Sequence, residues 1–101
     1  MSMIAKFVTL KTSAEQFAAF KDALTALAIE TRKESGNLGY DVFDDGEQTC
    51  RIVEVWRDQS ALDAHVEEQH TKDGIATFAP MLIDTPSLDD FYPTAVAAAS
   101  G

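Results

Sequence analysis

A single cysteine, Cys50, stands among 101 residues, so no disulfide can form within the chain and packing must hold the fold. That usage fits a reducing cytoplasm, where the protein is expected to reside. Cys50 itself reads as a small buried strand residue, because no activating partner accompanies it. Basic residues are scarce: eight Lys and Arg against seventeen Asp and Glu, a formal charge of -9. Such a surface repels phosphate backbones and anionic headgroups, which argues against nucleic-acid and membrane partners. No apolar run nears the roughly 20 residues that span a bilayer. The opening MSMIAKFVTL lacks the basic-then-apolar layout of a signal peptide and reads as a strand. A glycine-rich phosphate loop, a G-x-G-x-x-G turn and a nucleophile elbow are also missing, so no nucleotide, flavin or other cofactor is expected.

What is present is an ordinary globular composition, 46% apolar and 25% charged, enough for one domain with one modest core. The domain is expected over residues 1–93, with 94–101 a flexible Ala/Ser tail. Met3 to Leu10 is the first strand. Thr12 and Ser13 offer caps, and Ser13 with Gln16 suggests a capping box. Phe17, Phe20, Leu24, Leu27 and Thr31 then recur at spacings of three and four, the stripe of an amphipathic helix that Gly36 ends. Leu38, Tyr40 and Val42 alternate on one side of a second strand. Asp44-Asp45-Gly46 marks a hairpin turn, and Thr49 to Arg57 returns. The returning strand sets Cys50, Ile52, Glu54 and Trp56 on one face.

Asp58 and Ser60 cap a second helix with Ala61, Leu62, His65, Val66 and Gln69 on a common side, interrupted from Thr71 to Gly74. Ile75 to Leu82 reads as a short helical segment strained by Pro80, and Leu88 to Tyr92 as the last strand. The order β-α-β-β-α-β predicts an α+β ferredoxin-like protomer, a four-stranded antiparallel sheet with both helices on one face. Both sheet faces carry apolar residues, so the uncovered one calls for a homodimer.

Glu54, on a face shared with Ile52 and Trp56, is an acid in apolar company, where burial raises a carboxyl pKa. An ion pair with Lys6 or Arg51 is the architectural alternative. His65 points to the protein side of its helix and is the natural base near neutral pH, although a satisfied core histidine is commoner. His70 lies five positions on, about 140° around a continuous helix, so a metal site is not expected and His70 reads as a pocket-rim residue. Tyr40, Trp56 and Phe78 are aromatic candidates to line a pocket for a small aromatic substrate, although core packing is the commoner role for each. Gly39 permits close approach or marks a bulge.

The run T-R-K-E-S-G-N-L-G-Y-D-V (Thr31 to Val42), followed by E-V-W-R-D-Q-S-A-L-D-A-H (Glu54 to His65), resembles the antibiotic biosynthesis monooxygenase family. Gly36, Tyr40, Glu54, Trp56, Leu62 and His65 carry the resemblance. It implies a dimeric α+β barrel, with a pocket between sheet and helices in each protomer. It also implies oxidation of hydroquinones by O2 without metal, flavin or haem. On that analogy His65 is the base, Glu54 orients it or binds a hydroxyl, and Trp56 and Tyr40 flank the ring. The first strand has no asparagine and Trp56 belongs to a strand, both unlike the haem-degrading branch. Asn37 and Gly39 are small, which widens the pocket and leaves the substrate open. The expected activity is cofactor-independent oxidation of a hydroquinone-like or polyphenolic molecule. The alternatives are an isomerase of a small carbonyl metabolite and a non-catalytic dimeric binding or stress-related module.

Overall fold

Alternating apolar residues on four strands need a cover, and two long helical stripes supply it on one side. The structure, a computed structural model, describes residues 2–94. In chain order it contains β1 (Ile4–Lys11), α1 (Phe17–Thr31), β2 (Asn37–Asp44), β3 (Thr49–Trp56), α2 (Gln59–Glu67), α3 (Gln69–Phe78) and β4 (Ser87–Phe91). The sheet order is β2-β3-β1-β4, and every neighbouring pair is antiparallel. β3 is inserted between β1 and β2, which makes this the split βαβ arrangement expected of a ferredoxin-like α+β domain. The Ala/Ser tail from residue 95 lies outside the described residues.

The core forms where the α1 stripe meets the inward positions of the sheet. Phe20 and Leu24 are fully enclosed, and Phe17, Leu27 and Ala28 are buried beside them. Below them, cross-strand partners Ile4 and Trp56, Val8 and Ile52, and Leu10 and Cys50 bring their side chains to the same face. Full burial of side chains this size is worth about 1.5–3 kcal/mol each, so this layer is the main source of stability. Cys50 lies in it, and burial raises its thiol pKa to about 11, so it stays a neutral packing residue.

Several local expectations need correction. Ser13 does not close a capping box. A 3-10 turn over Ala14–Gln16 precedes α1, and the Ser13 hydroxyl meets Gln16 Oε1 at 3.5 Å rather than a backbone N–H. Gly36 does not end α1 in a left-handed conformation; among the described residues only Gly46, in the hairpin turn, has positive φ. Gly36 is needed for closeness instead: an added Cβ would collide with Ala61, so the turn after α1 can seat directly on α2. Leu38 does not share a face with Tyr40. The register shifts between Asn37 and Gly39, which leaves Leu38 exposed and Tyr40 buried.

The largest correction concerns the second helix. It breaks at Glu68, whose extended backbone (φ -66, ψ 142) closes α2 and opens α3. α3 then runs straight through Thr71 to Gly74, and Pro80 falls in the 3-10 turn Ala79–Met81 that follows it. Val66 and Gln69, expected inside, are therefore exposed. On the face away from the helices, Phe7 and Phe91 meet edge to face at 5.1 Å, and Phe43 stays exposed.

Candidate functional site

Strand β3 delivers Glu54 and Trp56 to the helix side of the sheet, and Asp58 aims α2 at them. Asp58 Oδ1 accepts the Ala61 N–H at 2.9 Å, the expected cap, and its pKa is lowered chiefly by that bond. Two turns later His65 faces inward. Its ring lies 4.6 Å from the Trp56 ring and 6.0 Å from Tyr40, and it is only 5% exposed. The acid, the indole and the imidazole are together as expected. They pack on one another rather than around an open hollow, for Trp56 is 0% and Glu54 5% exposed.

Glu54 has a partner of its own. Trp56 Nε1 donates to Glu54 Oε1 at 3.0 Å, a buried bond between residues two apart on one strand. Burial raises the Glu54 pKa; the indole bond, the His65 ring and Lys6 across the strand pair oppose it. Lys6 is not its ion-pair partner, because its ammonium sits on Asp90 at 2.8 Å. Arg51 lies on the outer face, where it donates to Thr9. The folded chain thus keeps the Glu54 proton to higher pH than the unfolded chain. Its contribution to stability is full below the ordinary value of 4.5 and is lost as pH rises through the raised one. Glu54→Gln should therefore melt higher than wild type at neutral pH, with the gap closing as pH falls toward 4.5. Thermal melts across that range check this; a gap that widened toward acid would contradict it.

The imidazole is held by a residue that sequence reasoning missed. Glu34, in the turn after α1, brings Oε2 to 2.7 Å from His65 Nδ1 and to 2.7 Å from His70 Nε2. The turn is fixed by its own backbone: Glu34 N–H donates to Thr31 at 3.0 Å, and Asn37 N–H donates to Glu34 at 3.0 Å. His70 reaches the same oxygen only because of the break at Glu68, so the objection that two histidines five apart cannot converge no longer applies. Thr71 Oγ1 adds a contact at 3.2 Å to His65 Nδ1.

An ionised carboxylate only accepts, so both ring nitrogens facing Glu34 carry the hydrogen. That leaves the lone pair of neutral His65 on Nε2, the tautomer a general base needs. Tyr40 stays a neutral phenol, since burial and then the Glu54 and Glu34 carboxylates raise its pKa far above the usual range. Phe78 is placed apart from this cluster, edge to face on Phe20 at 5.7 Å. The group reaches solvent on the His70 side, where that side chain is 22% exposed. A hollow of about 160 Å³ beside α2 is bordered by Glu34, Gly36, Arg57, Ala61 and Glu68. A larger one of about 580 Å³ lies against Phe7, Arg51 and Phe91 on the opposite sheet face, away from the histidines.

Comparison with known proteins places the fold. The sequence profile of the family described as antibiotic biosynthesis monooxygenase matches residues 3–77. The chain belongs to that family. The antibiotic biosynthesis monooxygenase fold extends over nearly all of it. Protein PA3566 from Pseudomonas aeruginosa is 25% identical with a TM-score of 0.85, covering 94% of this chain and 97% of its own. Rv0793 from Mycobacterium tuberculosis is 22% identical with a TM-score of 0.86 over 92% and 96%. A Nitrosomonas europaea protein that carries the same family name is 18% identical, with a TM-score of 0.88 over 92% and 91%. No curated protein sequence matches. Among the described residues no helix is long and apolar enough to cross a membrane.

Proposed function

We propose that this chain is a monooxygenase that oxidises a hydroquinone-like or polyphenolic small molecule with O2, using His65 as general base. The observation that carries this reading is the 2.7 Å bond between Glu34 Oε2 and His65 Nδ1 in a buried setting, on a chain of this family. A carboxylate behind an imidazole fixes the tautomer and stabilises the imidazolium that forms when Nε2 takes a proton. Removing a phenolic proton yields an electron-rich anion that can pass one electron to O2, after which the two radicals combine. The balance closes without an external reductant: hydroquinone plus O2 gives a hydroxylated quinone and one water, the substrate supplying all four electrons. The protein's tasks are to deprotonate, to orient and to exclude water.

Glu54 serves this reading by holding the Trp56 indole in place, and Trp56 in turn backs the His65 ring. Two chains are proposed to pair through the outer sheet face, which presents Phe7, Phe43 and Phe91 and which the helices leave bare. Light scattering is expected to return twice the chain mass; the mass of one chain at micromolar concentration would remove that part.

The test of the chemistry is oxygen uptake over a panel of hydroquinones and polyphenols, with 18O2 to follow the atoms. One labelled oxygen in the product and one in water is expected. A panel that consumes no oxygen above the spontaneous rate would overturn the reading.

A further inference from the structure

We infer that Glu34, His65 and His70 form a binding site for a divalent transition-metal ion of the zinc class. Their donor atoms, one carboxylate oxygen and two imidazole nitrogens, all lie within 4.8 Å of one another. They come from three separate segments: the turn after α1, the inner face of α2 and the first turn of α3. Thr71 Oγ1, 3.2 Å from His65 Nδ1, stands ready as a fourth donor.

Zinc binds histidine nitrogen and carboxylate oxygen at about 2.0–2.2 Å, which sets neighbouring donors about 3.3 Å apart in a tetrahedron. The two 2.7 Å contacts need to lengthen by only about half an ångström, within the reach of side-chain rotation. The charge favours a cation. Glu34 is 11% exposed, and among the described residues its only partners at salt-bridge distance are the two histidines, with no Lys or Arg. Two nitrogens and one oxygen select zinc, cobalt, nickel or copper over magnesium and calcium, which prefer all-oxygen sites. The interruption at Glu68 is the structural device that makes the set, because a continuous helix would carry His70 about 140° away from His65.

Binding has a chemical corollary, which rests on the base assignment above. Coordination takes the Nδ1 lone pair of His65, so in the neutral ring the proton moves to Nε2. The base then has nothing to accept with. The ion is therefore an inhibitor of the proposed oxidation, and the site serves as a metal-responsive off state.

The experiment is calorimetric titration of the metal-free full chain with zinc sulfate, then with magnesium chloride, with native mass spectrometry for stoichiometry. One zinc per chain is expected, with no magnesium uptake. His70→Gln and Glu34→Gln should each weaken zinc binding by at least about tenfold, with unchanged circular dichroism. His70 is more exposed than Glu34, 22% against 11%, so its variant is the safer of the two for folding. Absence of zinc binding at 100-fold molar excess, or binding that both substitutions leave intact, would overturn the inference. Zinc bound as described by a protein that oxidises no quinol would leave this site standing and remove the oxidase reading instead.

Discussion

His65→Gln is expected to lower turnover with a responsive hydroquinone by about 10²–10⁴-fold, the usual contribution of a positioned general base. Glutamine is chosen because its amide can still donate to Glu34 Oε2, which holds the inner face of α2 in place. The melting curve should be unchanged. Glu34→Gln should act in the same direction but less, about 10- to 100-fold, since it removes the charge that favours imidazolium and keeps an acceptor for Nδ1–H. Initial rates of oxygen uptake at saturating quinol measure both. If rate and melting temperature fell together in each variant, the pair would be architectural. Equal activity in His65→Gln and wild type would show that the proton leaves by another route.

Trp56→Ala is expected to cause the largest loss of stability. Trp56 is wholly enclosed, pairs with Ile4 across the sheet and backs the His65 ring. Truncating a buried aromatic typically costs about 3–5 kcal/mol. Here it also strips Glu54 of its indole donor, and an unmet buried polar group costs about 1–3 kcal/mol more. The sum rivals the roughly 5–15 kcal/mol that a domain has in all, so a large unfolded fraction is expected at room temperature. Trp56→Phe separates the two terms, keeping most of the volume and losing only the bond. Urea midpoints decide: a shift in Trp56→Phe close to that of Trp56→Ala would mean that the hydrogen bond, and not packing, dominates.

The fold was legible where a periodic pattern had one solution. The α1 stripe, the Asp45-Gly46 hairpin and the inward face of β3 each follow from spacing that only one geometry buries. Glu54, Trp56 and His65 could be grouped for the same reason, since strand alternation and a capped helix dictate where they point. Glu34 could not. It lies 31 positions from His65, in a turn whose aim depends on α2 packing over Gly36, and nothing local distinguishes it from the other acids. Its one signal was its place in the T-R-K-E-S-G run that carried the family resemblance. His70 was misread because the second helix was expected to continue through Gln69 and break only from Thr71 to Gly74, whereas the break falls at Glu68 and involves neither proline nor glycine. The tertiary bonds from Glu34 to both rings accompany that break. Tyr40 and Phe78 show the opposite limit: spacing alone allows either a pocket wall or the commoner role in a core, and both are buried in the core.

The most direct measurement is a long-range 1H–15N correlation spectrum of the histidine side chains in the metal-free protein near neutral pH. A carboxylate-held base requires the His65 hydrogen on Nδ1, with Nε2 bare, and the Glu34→Gln spectrum should show that preference weakened. A His65 ring protonated on Nε2 alone would contradict the account, because the nitrogen meant to accept the substrate's proton would already be occupied.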